Sequence, residues 1–464
     1  MKMWSGGQPN ADFERWQRSF PFDKRLLAEE LAASLAHARA LQRIGVLSKD
    51  EFENLEQALN SIAQRSVDDP GFLDDNEAED IHHFVEKRLV SLVGELGYKL
   101  HAGRSRNEQI ATDLRLFVRE AIDNVQQELT GFMATVVAQA EHAGDAAMPS
   151  YTHLQRAEPV LLAHWLLAYF EMFYRDWSRL TDCRARVNVC PLGSGAIAGA
   201  TLPLDREALA AELQFEGPTK NSIDATSDRD FAIEFTQALL PVALHLSRWA
   251  EEMILFSTKE FGFVGLPEAY STGSSALPQK RNPDALELIR GKAGAVIGCA
   301  TALLIAVKGL PLAYNKDLQE TQQPVFAAAD TTIESLRIAT GFMEAVAFDT
   351  QRMQAAAQSG YLNTMTAATY LVKKGVPFRQ AHHIVGKAVR LCMEKGVELQ
   401  DLALEDLRRF SPEFDEDIYQ ALTLNAVLDG HDVCGGTGRA WVKEALEEAG
   451  QRLNAIRGAE HAHA

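Results

Sequence analysis

The sequence predicts a mainly α protein in three consecutive segments, with a bundle of long helices at its centre. Three observations carry this. Apolar residues recur at spacings of three and four over stretches longer than the average globular helix. Strand signals are few and short. The longest uncharged run, "AGAVIGCATALLIAV" from Ala293 to Val307, is rich in glycine and alanine. At 15 residues it is short for a bilayer span, and it reads as a helix buried on all sides.

The elements follow in order. Leu27, Leu31, Leu35, Ala38 and Leu41 line one helical face, and Gly45 ends that segment. Ser48 and Glu51 form a capping box ahead of Phe52, Leu55, Leu59 and Ile62. Helical patterns then run through Ile110–Ala140, Pro159–Arg186, Phe231–Phe256, Asp284–Val307 and Val325–Ala347. Clusters of glycine, proline and polar residues break the chain at "HAGRSRNEQ", "MPSYTHLQRAEP", "PLGSGAIAGATLP" and "QSGYLNTM". A last helical segment begins near Ala367. The expected division is 1–105, mostly helical; 106–357, the long-helix bundle; and 358–464, a small helical domain.

Composition excludes some functions. A net charge of −18 over 464 residues repels nucleic acid and anionic membrane at long range. It leaves room for a small anionic substrate, because local cations decide that. The five cysteines show no C-x-x-C pair, as expected of reduced thiols in the cytoplasm. The N-terminus lacks the continuous apolar stretch of a signal peptide. No Walker motif and no G-x-G-x-x-G opens a nucleotide site, so a nucleotide cofactor has no support. No G-x-S-x-G elbow supports a serine hydrolase. The pairs His82-His83 and His382-His383 lack a His partner at i+4 or nearby cysteines, so no metal is expected.

Chemistry concentrates between the helices. In "GSSALPQKRNPDALELIRGK", Ser274 and Ser275 sit in a glycine-flanked loop, followed by Lys280 and Asn282. Asn282-Pro283-Asp284 reads as a helix start, with Asn at the N-cap and Pro at the first helical position. Hydroxyls, a cation and a helix N-terminus together suit an anion, and Lys280 and Asn282 suit a carboxylate. The alternative is a mere helix cap with a mobile loop. Glu287, five residues past Asn282, is placed to face a histidine from another segment. "GRSRN" sets Arg104 and Arg106 ahead of a helix, with Asn107 beside them; guanidinium forks match carboxylates, though solvated surface arginines fit the same pattern. "YTHLQ" offers Thr152 and His153, a general acid or base or simply an exposed histidine. "GLPLAYNKDLQETQQP" supplies Tyr314, Asn315, Lys316 and Gln319 at a helix junction.

Taken in order, "SFPFDKRL", "GRSRNEQIATDLRLF", "YTHLQRAEPV", "PLGSGAIAG", "NSIDATSDRDF", "GSSALPQKRNPDALELIRGK" and "KGLPLAYNKDLQE" resemble the fumarase/aspartase superfamily and, within it, the argininosuccinate lyases. The resemblance implies a three-domain fumarase/aspartase-like fold and a homotetramer with each active site shared by three subunits. It implies reversible elimination of argininosuccinate to arginine and fumarate, in arginine biosynthesis, without a cofactor. Matched motif to motif, Ser274 is the base and His153 stands at the acid end, oriented by Glu287. Lys280 and Asn282 hold the carboxylate that becomes doubly negative, and Ser19, Arg106, Asn107, Thr152, Ser275, Tyr314, Gln319 and Gln322 line the substrate.

Several positions depart from the family pattern. Gln322 stands where these lyases carry a lysine, Gln8 where an arginine is usual, Thr366 and Thr369 where acids are common, and Ser150 where glycine precedes "YTH". A glutamine in place of the lysine keeps a hydrogen bond but loses charge assistance. It leaves open a related C–N lyase that releases fumarate from a different N-substituted aspartate. A structural protein on the same scaffold is a third reading, opposed by the retained catalytic set.

Overall fold

The computed structural model describes residues 10–463. The chain divides into two compact units, each assembled from three stretches of sequence. Five long helices run through the middle of the chain and lend residues to both units: α4 (Arg106–Ala143), α5 (Leu162–Val187), α6 (Asp230–Ser257), α7 (Asp284–Val307) and α8 (Gln322–Ala345). The fold is mainly α, as expected, and strands occur among the described residues only as two-stranded ribbons.

The first unit comprises Met1–Gln126, Ser178–Pro241 and Gly294–Ile333. It opens with three mutually packed helices, α1 (Leu27–Arg43), α2 (Lys49–Asp68) and α3 (Ile81–Val93). Helix α1 stops at Gly45, whose φ of 76° suits a residue without a Cβ. The Ser48/Glu51 capping box starts α2, with both reciprocal hydrogen bonds formed. Phe20 stacks on Phe84 at 5.0 Å between ring centroids and Phe72 meets the same ring edge-on at 5.5 Å. These buried rings fix residues 17–23 beside the start of α3.

The second unit comprises Gln127–Trp177, Val242–Ala293 and Glu334–Ala464. Its centre is an aromatic chain drawn from four helices. Phe132 of α4 meets Phe173 of α5 and Trp249 of α6 edge-on, and Trp249 meets Phe342 of α8 in the same way. A smaller core around Leu371, Val385, Leu407 and Phe414 joins α9 (Thr364–Lys373) and α10 (Phe378–Lys395) near the C-terminus. Helix α9 begins three residues earlier than the apolar pattern indicated.

Two ribbons matter for function. Strands β1 (Ala147–Thr152) and β2 (Gln155–Leu161) form an antiparallel hairpin whose last pair is Thr152 with Gln155. Its two-residue turn, His153-Leu154, has φ of 55° and 58°, the mirror-image turn that matches strand twist. Pro159, expected at a helix start, lies in β2, and α5 begins at Leu162. Strands β3 (Thr272–Gly273) and β4 (Arg281–Asn282) close the loop between them.

Helix α7 corrects one expectation. Leu286, Ile289, Val296 and Leu303 are buried, but Leu288 and Ile305 are 63% and 65% exposed, and Ile297 and Leu304 are exposed too. The run is apolar on both faces and the chain covers one of them. At 24 residues the helix is also long and apolar enough, by length and composition, to cross a membrane, which the 15-residue run did not indicate.

Candidate active site

The residues singled out from sequence fall into two groups. In the first unit, Ser19 stands just ahead of the short helix Phe20–Asp23, without a side-chain cap hydrogen bond, and is almost fully buried. Its N–H donates to the Glu79 carbonyl at 2.9 Å, and its hydroxyl bonds the Asp23 carboxyl. Burial pushes Asp23 up to about 7, although the Ile81 N–H donates to it at 3.1 Å. Arg106 is the first residue of α4, and its guanidinium lies 3.1 Å from Asp80 and 3.5 Å from Glu79. Asp80 in turn caps α3 through the His83 N–H. Arg104 points inward: its side chain is 5% exposed and donates to Ser34 at 2.8 Å. The two arginines of "GRSRN" thus differ, one a buried strut and one half-exposed at the helix start.

Tyr314 belongs to the same neighbourhood. Burial raises its phenol, Arg229 pulls the other way, and Asp80, Asp23 and Glu79 add to the rise. The Gln319 amide donates to the Gln17 carbonyl at 3.1 Å, two residues before Ser19. Asn107 donates to the Ala196 carbonyl at 3.2 Å, on the "GSGAIAG" loop. That loop folds so tightly that a Cβ on Gly195 would lie 2.7 Å from the Gly199 carbonyl oxygen. Gln322 is 3% exposed and its amide oxygen receives no hydrogen bond. Its backbone N–H donates to the Gln319 carbonyl, where the 3-10 turn Lys316–Thr321 ends.

Sequence reading missed Asp23, Glu79, Asp80 and Arg229. Arg229 is fully buried, desolvation lowers its guanidinium to about 10, and it donates to the Asp228 carbonyl at 2.7 Å. The signals available were the N-cap pattern of Asp80 ahead of "IHHF" and the motifs "SFPFDKRL" and "NSIDATSDRDF", which contain Asp23 and Arg229. Gln8 lies outside the described residues.

In the second unit, His153 occupies the tip of the β1–β2 hairpin, exposed together with Thr152. The Ser274 loop is closed by the β3–β4 pairing, and the Ser274 hydroxyl oxygen accepts from the Ala276 and Leu277 N–H groups, each at 3.2 Å. Two N–H donors on one hydroxyl stabilise its deprotonated form over its neutral form. Helix α7 begins at Asp284, where the apolar pattern placed it and one residue after the cap reading. Pro283 supplies the first helical carbonyl, to Glu287, while Asn282 pairs with Thr272 as strand. Asp284 accepts from the Thr272 N–H and hydroxyl, which hold its carboxyl below the usual range, with Lys280 adding to the effect. Lys280 and Ser275 are exposed, and among the described residues Lys280 makes no ion pair. Glu287 is exposed on α7, and no hydrogen bond within the chain joins it to His153.

One set of side chains has metal-ligand character. Candidate ligand atoms of Glu30, His82 and Asp113, all buried, lie within 4.8 Å of one another. They come from three segments, which is why neighbouring-residue spacing did not reveal them.

A family model described as lyase matches residues 7–298, and one described as argininosuccinate lyase C-terminal matches residues 361–429. The argininosuccinate lyase of Koribacter versatilis is 57% identical, covering 100% of both chains. That of Acidobacterium capsulatum is 58% identical over 97% of this chain and 95% of its own. Among solved structures, an EDDS lyase variant with bound fumarate superposes with a TM-score of 0.84 at 24% identity, covering 98% of this chain and 93% of its own. A class II fumarase from Schistosoma mansoni does so at 0.72 and 14%, covering 86% and 89%. At these identities the two structures share the fold.

Proposed function

This chain belongs to the argininosuccinate lyases of the fumarase/aspartase superfamily, and from that membership we infer that it cleaves argininosuccinate to arginine and fumarate with the residues described above. The observation that carries the mechanistic reading is the Ser274 hydroxyl, which already accepts two backbone N–H groups. Such donors, with Lys280 nearby in the loop, make an otherwise weak base competent to take the proton beside a carboxylate.

The electrons released by that proton flow onto the neighbouring carboxylate and make it a dianion. Lys280 and Asn282 are the proposed donors to it, and fixed donors at such a centre are worth about 100- to 1,000-fold in rate. Collapse of the dianion expels the guanidino nitrogen of arginine, which takes a proton at the His153 end, with Glu287 orienting the imidazole. Arg106, Asn107, Ser19, Thr152, Ser275, Tyr314, Gln319 and Gln322 are the proposed substrate contacts. No cofactor enters this scheme. The alternative amine rests on Gln322 alone, and relatives matching end to end favour arginine.

We propose a homotetramer in which sites are completed between copies. The support is the exposed face of α7, where Gly291, Gly294 and Gly298 sit among Leu288, Ile297 and Ile305, and where no atom comes within 4 Å of a Cβ built on any of the three glycines. Small residues on an apolar face let a second helix approach closely. In the assembled enzyme the proposed division remains 1–105, 106–357 and 358–464, in keeping with a separate C-terminal family model over 361–429. The cytoplasm is the proposed setting, in keeping with five free cysteines.

The test is direct. Purified protein given argininosuccinate should produce fumarate, followed by ultraviolet absorbance. Silence with argininosuccinate, with addition of other amines to fumarate, would replace arginine by another amine. Mixing inactive Ser274→Ala with inactive His153→Asn should restore activity if sites are shared between copies; persistent inactivity after subunit exchange would refute the shared site.

A further inference from the structure

Glu108, two residues past Arg106, has no part in the scheme above, yet it joins two pieces of the first unit. At the start of α4 it shares a reciprocal cap with Ser105. The Asn107 N–H donates to the Ser105 hydroxyl at 3.2 Å, and the Ser105 N–H donates to Glu108 Oε1 at 3.1 Å. A cap needs only that one oxygen. The other, Oε2, accepts from the Gly195 N–H at 2.8 Å, 87 residues along the chain in the "PLGSGAIAG" loop, and the Gly193 backbone adds a further hydrogen bond to the carboxylate. Glu108 is fully buried, so these fixed donors on two segments stand in for water. The other side of the loop is gripped by Arg206, which donates to the Leu192 carbonyl at 2.8 Å, the Thr219 carbonyl at 2.9 Å and the Ser194 hydroxyl at 3.2 Å. Its side chain packs so close that a Cβ on Gly193 would lie 2.7 Å from Arg206 Cγ. Between the two clamps the loop tip, residues 196–198, is exposed. There the Ala196 carbonyl accepts from the Asn107 amide at 3.2 Å.

We propose that Glu108 is a positioning residue for substrate: it rivets loop 191–200 to the start of α4, and the riveted loop aims the Asn107 side chain through the Ala196 carbonyl. The proposal rests on the lyase reading, in which Asn107 touches substrate. Without the clamps the exposed tip would wander, and Asn107 would have to be ordered anew at each binding event, which weakens binding. Held at both ends, the loop keeps Asn107 in one orientation before substrate arrives, beside Arg106 on the first turn of α4. A cap that served only α4 would need neither the bond from the second oxygen to Gly195 nor burial.

The experiment compares the intact enzyme with Glu108→Gln and Glu108→Asp. Glutamine keeps the shape but turns an amide N–H towards one of the two donors; aspartate keeps the charge and falls one carbon short of Gly195. In both variants, hydrogen exchange of the backbone amides in 191–200 should quicken about tenfold or more. KM for argininosuccinate should rise about tenfold in Glu108→Gln, and less in Glu108→Asp, with kcat within about threefold. In an Asn107→Ala background the rise caused by Glu108→Gln should shrink to about twofold or less, because the side chain being aimed is gone. Glu108→Asp carries the same test should Glu108→Gln fail to assemble. Unchanged exchange in the loop would overturn the proposal, and so would KM effects that simply multiply in the double variant. An active wild type whose Glu108 variants keep their KM fails this proposal alone. A wild type silent towards argininosuccinate fails the lyase reading and this proposal with it.

Discussion

Around Arg106 the chain uses buried and half-buried polar groups drawn from segments far apart in sequence; around Ser274 it uses an exposed loop held by neighbours within a few residues. Ser19, Asp23, Glu79, Asp80 and Tyr314 reach the first region from three separate stretches. Ser274, Thr272, Lys280 and Asn282 all lie within one short ribbon. The difference teaches a division of labour. On the proposed reading, the substrate contacts Ser19, Arg106 and Tyr314 lie in the first unit, while the proposed proton-transfer groups Ser274 and His153 are carried on light, accessible elements of the second. A short loop can close over a substrate at little cost in packing; a buried network cannot.

The comparison can be broken in several ways, beginning with the largest effect. Ser274→Ala should lower kcat by about 100- to 10,000-fold while light scattering still reports the assembled oligomer. Near-normal turnover in that variant would remove Ser274 as base. Arg106→Gln should raise KM about 10- to 100-fold, the cost of losing a charge-assisted contact, with a much smaller fall in kcat. If kcat fell equally, the packed region would be acting in the transition state and the division would collapse. Gln322→Lys should lower KM for argininosuccinate about three- to tenfold. Because Gln322 is buried, the new ammonium should also lower the melting temperature without substrate, with recovery when substrate is added. An unchanged KM would detach this position from the substrate.

The smallest effect concerns Asp23. Its folded value of about 7 exceeds the ordinary 3.8, so the protonated form is favoured by folding. The stability it contributes is present below pH 4 and is lost as pH rises towards 7. Asp23→Asn keeps the oxygen that accepts from Ile81 and should flatten this part of the melting profile. A profile identical to wild type would mean that Asp23 is ionised in the folded chain, and that the Ser19 region is less dry than described.

Much of this was legible in the sequence, for physical reasons. Helical spacing marked the long helices because their apolar faces repeat every three or four residues. The Ser48/Glu51 box and the loop holding Ser274 were visible because both are local. What stayed hidden is nonlocal. Nothing near Arg106 in sequence announces Glu79, and Glu30, His82 and Asp113 meet only after three helices pack. Helix α7 was misjudged because an apolar run does not say whether its own chain or another surface covers it. Pro159 was read as a helix start because its neighbours continue a helical pattern, but pairing with β1 draws it into a strand.

The hairpin tip carries one last implication. His153 holds a backbone twist that side chains of natural handedness adopt reluctantly, at about 1 kcal/mol, and glycine would relieve it. Exchanging the imidazole for a bare hydrogen should therefore yield a sturdier polypeptide and a dead catalyst. Screening variants by heat resistance alone would reward discarding this histidine, so durability and turnover must be measured side by side at this turn.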